Sequence, residues 1–295
     1  MALSKKLMIV SRLREHLKSF MDQVDTSDLQ WLVEYLASYG WIRGVVADVG
    51  VIRAAIRTLQ NTMNMVPSGL PDRQTMKVLR HSRRCGCVDV EYQVKAEAIV
   101  RGWRKSNPGK PLTYHIGQFL PGISKHAQRE LWKETAAAWS GVADLHFAET
   151  MNAGDANIVI LAGPQQANDG LGSPGNVLAY AYLPPTANFT GQLSMVMDDV
   201  ERWGDDVQFL PVARHEWGHL LGLNHSQNPK ALMKPFYDPA IGQPTAYDDI
   251  PRIQAIYGKA IHGNPSNPTG PTNPAIPLLG PEHLTDAGRR VVRQW

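Results

Sequence analysis

The chain has 295 residues, of which 43% are hydrophobic and 19% charged, and a formal net charge of +3. That length allows one or two domains with sizeable cores. So small a charge gives no field for nucleic acid, and no apolar run approaches the ~18 residues of a membrane span. Cys85 and Cys87 are the two cysteines, one residue apart, so no disulfide framework is possible. Thiols this close suit reactivity or metal binding better than a structural bridge.

The N-terminus begins with Lys5 and Lys6, like a signal peptide, but its apolar stretch ends at Val10 and Arg12, Arg14 and Glu15 follow. A signal core needs ~7–15 apolar residues, so no signal peptide is read. Residues 1–27 read instead as an amphipathic helix, with Leu7, Val10, Leu13, Leu17 and Phe20 at helical spacing. A second helix is expected from Asp28 as N-cap, with Trp31, Leu32, Tyr35 and Leu36 on its apolar face. A third carries Ile52, Ile56 and Leu59, and a fourth carries Thr75, Met76 and Leu79. Residues 28–90 therefore read as a small three-helix unit ending in the loop Arg84-Cys85-Gly86-Cys87-Val88-Asp89. Residues 91–110 read as a linker.

Beyond it, Leu112 to Ile116 reads as a strand and Lys125 to Trp139 as a long helix. The helix should pack through Ala127, Leu131, Thr135, Ala138 and Trp139, with Arg129 and Lys133 in solvent. Leu145-His146-Phe147 and residues 157–161 read as further strands, the second buried on both faces. Asp205 or Asp206 is expected to cap the next helix, with Pro211 in its first turn. A last helix runs from Tyr247 to Gly258, and residues 261–295 read as a Pro-rich linker and short tail.

The chemistry concentrates in His215-Glu216-Trp217-Gly218-His219, followed by Gly222 and His225. Residues four apart share a helix face, so His215 and His219 can aim two imidazoles at one ion. Glu216 stands where it can reach a water at the metal without being a ligand itself. Gly222 lets the chain leave through a left-handed turn that brings His225 back as a third ligand. Three His ligands with an open fourth position describe a catalytic zinc site rather than a structural one. A thiolate is a soft, tight zinc ligand, and Cys85 at that fourth position would displace the water. Gly86 permits a close approach of the loop, and Arg84 can pair with Asp89 to hold its shape.

These motifs resemble the matrixins, the matrix metalloproteinase family of the metzincin clan. The helical unit, through Tyr35, Leu36, Tyr39, Gly40, Ile56, Gln60, Gly69, Leu70, Asp72 and Thr75, resembles the family's peptidoglycan-binding-like prodomain. Arg84-Cys85-Gly86, with Asp89, resembles its cysteine switch, although Arg83 and Val88 replace the two prolines and Cys87 is extra. The resemblance implies an α+β fold: a metzincin catalytic domain over residues 111–260, a twisted mixed sheet with long helices, behind the three-helix prodomain. It implies that Asn176, Val177, Leu178, Ala179 and Tyr180 form an edge strand that binds extended substrate. It further implies that Pro235 and Tyr237 form a pocket wall and that Met233 is the methionine beneath the zinc. Asp198 and Glu201 match the family's calcium-binding pair. Asp248 and Asp249 match an acidic pair that braces the turn at Met233. Tyr180 and Val196 stand where the family's structural zinc has histidines, so one zinc per chain is implied.

The expectation is a zinc metalloendopeptidase, made as a latent zymogen, with His215, His219 and His225 as ligands and Glu216 as general base. Its partners would be protein or peptide substrates, with no nucleic acid and no membrane span, and the chain would be a monomer. The family implies an extracellular enzyme, whereas the N-terminus suggests an intracellular one. The alternative is a weak or inactive metzincin fold acting as a wall- or polysaccharide-binding module; the presence of Glu216 opposes it.

Overall fold

The computed structural model describes residues 25–43, 49–81, 85–89, 101–107, 109–165 and 170–261. The helix expected before residue 25, Arg84 and the tail beyond 261 lie outside the described residues. Asp25, rather than Asp28, caps the first described helix, α1 (Thr26–Ser38), by accepting the Asp28 N–H at 2.8 Å. The expected boundary at residues 27 and 28 therefore falls inside one helical turn.

α1 packs with α2 (Val49–Thr62) and α3 (Arg73–His81) around Leu32, Leu36, Ile52, Ile56, Leu59 and Leu79. Buried Gln60 ties this unit together. It donates to Thr75 Oγ1 at 2.9 Å and to the Leu70 carbonyl at 3.0 Å, and accepts the Gly69 N–H at 2.8 Å. A buried amide with its groups satisfied in this way holds the α2–α3 loop against both helices. Phe236, distant in sequence, joins the same apolar cluster.

The second cluster lies around a five-stranded sheet of order β2-β1-β3-β5-β4. The strands are β1 (Leu112–Ile116), β2 (Phe147–Glu149), β3 (Ile158–Ala162), β4 (Ala179–Ala181) and β5 (Leu193–Met197). β1 pairs in parallel with β2 and β3, and β3 with β5, while β4 runs antiparallel to β5 at the edge. The sheet is thus mixed, and with the helices packed against it the arrangement fits the expected α+β class. Two strands differ from expectation: Leu145 and His146 precede β2, and only three residues of the expected strand at 176–180 and beyond, Ala179, Tyr180 and Ala181, form β4.

α4 (Lys125–Ser140) and α5 (Phe209–Leu220) pack against each other. Ala127, Thr135 and Trp139 of α4 are buried and Leu131 packs half-buried against the core as the periodicity predicts, but Trp132 and Ala136, rather than Ala138, complete the inward face. Trp132 widens this face, because it packs on Phe209 and Trp217, with centroids 4.8 and 5.8 Å away. Lys133 is exposed, whereas Arg129 pairs with Glu149. Asp205 and Asp206 do not cap α5; they pair with Arg202, and Gln208 precedes the helix without a side-chain cap. α6 (Asp249–Tyr257) ends at Gly258, whose φ of 86° closes it. Among the described residues no helix is long and apolar enough to cross a membrane.

Candidate metal centre

Trp217 sets the rotation of α5. Its buried ring meets Tyr114 and Phe147 edge-on, with centroids 5.5 and 5.7 Å away, which fixes one face of α5 against the sheet. Residues two positions either side lie roughly 200° round the helix, so His215 and His219 point the other way, into the site. Met233 lies beneath: a Cβ added to Gly218 would run into its sulfur. Gly222 then turns the chain with φ 100°, and a Cβ there would strike the Arg101 carbonyl. That turn returns His225 to the pair.

His215, His219 and His225 converge. Nε2 of His225 lies 3.2 Å from that of His215 and 3.1 Å from that of His219. Nδ1–H of His215 donates to the Leu232 carbonyl at 2.8 Å, and Nδ1–H of His219 to the Leu223 carbonyl at 2.7 Å. A neutral ring that donates from Nδ1 carries a lone pair on Nε2. Nitrogens facing one another at this distance need a proton or a metal cation among them. A tetrahedral ion bound at ~2.05 Å would hold such nitrogens ~3.3 Å apart, so the arrangement fits zinc. The backbone acceptors are the outer contacts that orient metal-binding imidazoles.

Cys85 completes a four-membered group with the three histidines, whose ligand atoms all lie within 4.8 Å of one another. The Cys85 segment reaches the site along the edge of β4 through an isolated parallel bridge between Cys85 and Ala179, with the Gly86 N–H donating to the Ala179 carbonyl at 2.9 Å. Fully buried Glu216 accepts from Cys85 Sγ at 3.5 Å. Asp89 is also brought in, with Oδ1 3.0 Å from Nδ1 of His225 and Oδ2 accepting the Trp41 indole N–H at 2.6 Å. The His225 contact is an ion-pair approach rather than an aligned hydrogen bond. Trp41 and His225 as partners of Asp89 were not legible in sequence; the expected partner Arg84 lies outside the described residues.

In the metal-free chain, burial pushes the Cys85 thiol well up. Burial alone would lower His219, but the charges of Cys87 and Glu216 outweigh it and raise the ring to about 9. Burial lowers His225 despite Asp89. Hydrogen bonding with Cys85, then the His219 charge, holds Cys87 well below the usual thiol range against its burial. Cys87 Sγ also lies 3.1 Å from the Ala181 carbonyl, which favours the protonated thiol. The charge-assisted contact is the stronger of the two.

The other expected residues divide. Tyr237 Oη accepts the Gln208 N–H at 2.9 Å, joining the segment after Met233 to the start of α5. Pro235 is buried beside Phe236. Asn176 is exposed, Val177, Leu178 and Ala179 are buried, and Tyr180 is half-buried, with its ring 5.9 Å from that of Tyr182. Asp198 and Glu201 accept the N–H groups of Gly172 and Gly175 at 2.9 and 2.7 Å. Around them no group of three or more His, Cys, Asp or Glu forms among the described residues. Asp249 accepts from the Leu232 and Met233 N–H groups at 2.8 and 3.1 Å, bracing the turn beneath the histidines.

Sequence missed Arg214. Its guanidinium donates to the Gly242 carbonyl and to Glu134, both at 2.7 Å, beside a cavity of about 320 Å³ also lined by Pro211 and Ile241. A cation one position before the first His was the available signal.

The family model described as Matrixin matches residues 102–258. Stromelysin-1 of Equus caballus is 33% identical over 219 residues, covering 72% of this chain and 44% of its own. Interstitial collagenase of Bos taurus is 33% identical over 247 residues, 80% of this chain and 50% of its own. Matrix metalloproteinase-C of Caenorhabditis elegans is 30% identical over 256 residues, 76% of this chain and 42% of its own. The chain thus spans half or less of the length of these relatives.

Proposed function

The chain belongs to the matrixin family, and from that premise we propose that it is a zinc-dependent endopeptidase made in a latent form. The observation that carries this reading is the convergence of three imidazole Nε2 atoms beside buried Glu216, with Cys85 Sγ in the same group. His215, His219 and His225 hold one zinc ion. When bound, zinc supplies Lewis acidity that acidifies a water and polarises a peptide carbonyl. Glu216 takes the proton of the attacking water and passes it to the departing amine. Its burial keeps competing water away from that proton path.

Residues 28–90 act as the prodomain, residues 91–110 as the segment cut on activation, and residues 111–260 as the catalytic domain, with 261–295 as a tail. In the latent chain Cys85 would join the three histidines in holding the ion while its segment lies on the β4 edge. That edge is the one an extended substrate would use, so the switch blocks both the metal and the strand-pairing groups. Once it leaves, residues 176–180 pair with substrate backbone, and Pro235 and Tyr237 wall a side-chain pocket. Tyr180 and Val196 support one zinc per chain. At Asp198 and Glu201 calcium would compete with the loop N–H groups that both carboxylates already hold.

A peptide-library cleavage profile of the prodomain-cleaved protein, with and without chelator, tests the reading. Chelator-sensitive cleavage at internal bonds is expected. No cleavage of any peptide by zinc-loaded protein would leave the binding-module alternative.

A further inference from the structure

The latent reading gives Cys85 a task and Cys87 none. Yet the ligand atoms of Cys85, Cys87, Glu216 and His219 all lie within 4.8 Å of one another. The reason is local. Cys85 makes an isolated bridge to Ala179 and the chain bends at Cys87, whose N–H donates to Cys85 Sγ at 3.2 Å, so the two residues turn into the same site. Gly86 between them adds no Cβ. Cys85 is buried and Cys87 half-buried, while the next residue, Val88, is 52% exposed. Cys87 is therefore the thiol nearer solvent, and no disulfide joins the two.

We infer that Cys85 and Cys87 form a reversible redox-modification site, in which a small-molecule disulfide converts them to an intrachain disulfide that withdraws Cys85 from the metal position. The inference rests on the latent reading of Cys85. In the first step Cys87 sulfur attacks the small disulfide, forming a mixed disulfide and releasing one small thiol. Cys85 sulfur then attacks the Cys87 sulfur and releases the second. The protein loses two protons and two electrons, and the oxidant gains them as two thiols. A sulfur bonded in a disulfide is no longer the thiolate that a metal requires.

The backbone makes the bond labile. With a single residue between the two thiols, the bond closes a small ring in which the backbone must reach the ~4.4–6.8 Å Cα separation that disulfides accept. Closing the bond draws the segment inward, against the Gly86–Ala179 hydrogen bond of 2.9 Å. Oxidation thus removes the sulfur from the site and loosens the strand that carries it. A strained bond is readily reduced, so a dithiol restores the latent state.

The test treats the uncleaved, zinc-loaded chain with glutathione disulfide. Intact mass should fall by about 2 Da for two lost hydrogens, and denatured thiols should fall from two to none. Peptide cleavage should rise at least about tenfold, and dithiothreitol should reverse all three changes. Cys87→Ser and Cys87→Ala should open at least about tenfold more slowly. Retention of both thiols, accumulation of a stable mixed disulfide, or Cys87 variants that open as fast as the parent would each overturn the inference. If proteolytically cleaved chain is inactive on every peptide, the peptidase reading fails instead, while mass and thiol count still decide the disulfide.

Discussion

Asp89 stands 3.0 Å from the Nδ1 of His225 while its other oxygen takes the indole N–H of Trp41 at 2.6 Å. One carboxylate therefore links the helical unit, the segment carrying Cys85 and the third histidine. Its backbone N–H adds a bond to the Tyr39 carbonyl at 2.9 Å. We expect Asp89→Ala to leave the Trp41 N–H buried without an acceptor and to cost roughly 1–3 kcal/mol in docking. Activity of the uncleaved chain should rise about 5–150-fold. Equal activity in parent and variant, measured before any cleavage, would remove Asp89 from the latch.

Glu216→Ala tests the proton path. The variant should keep its zinc content, because Glu216 is not a ligand in this reading. Turnover by the prodomain-cleaved enzyme should fall by ~10²–10⁴-fold. Metal analysis and kinetics on the same sample separate the two effects, and near-normal turnover would sink the assignment.

Cys85→Ser tests latency directly. An alcohol is a far poorer zinc ligand than a thiolate, so the uncleaved variant should be active without any trigger. The parent should become active only after cleavage or on treatment with a thiol reagent. The comparison is made on intact chains whose mass shows them uncut.

Metal loading should acidify the solution. At pH 7 the metal-free chain carries a proton on Cys85, which burial holds up, and another on His219, which the Cys87 and Glu216 charges raise to about 9 despite burial. Zinc needs thiolate and neutral imidazole, so about two protons should leave per ion bound. As pH rises through about 9, His219 is already neutral and the release should drop toward one. Calorimetry in buffers of different ionisation enthalpy reads the number. Release that does not change with pH would remove the raised His219.

Gly222→Ala should damage both stability and metal affinity. The residue has φ 100°, and its missing Cβ is where the Arg101 carbonyl lies, so alanine meets strain and a clash together. Strained backbone alone costs about 1–3 kcal/mol, and the turn that returns His225 would shift. Denaturant unfolding and zinc titration should move in the same direction. An unchanged midpoint with unchanged affinity would show that the turn tolerates a side chain.

What the sequence determined by itself was local. Three histidines at helical and turn spacing, with Glu216 and Gly222 between them, are legible because a helix repeats every 3.6 residues and glycine reaches positive φ cheaply. Periodicity also identified β1 and α4, whereas the methionine beneath the site was implied by the family resemblance. Tertiary structure decided the rest, because the deciding contacts join residues far apart in sequence, such as Cys85 and Glu216, which are 131 positions apart. Trp132 joined the inward face of α4 by packing on Phe209 and Trp217, which no periodicity within α4 encodes. Asp89 found Trp41 and His225. Asp198 and Glu201 matched a cation pair in sequence and took backbone N–H groups in the fold. A carboxylate satisfies whichever donor the packing brings closest, and packing is a property of the whole chain.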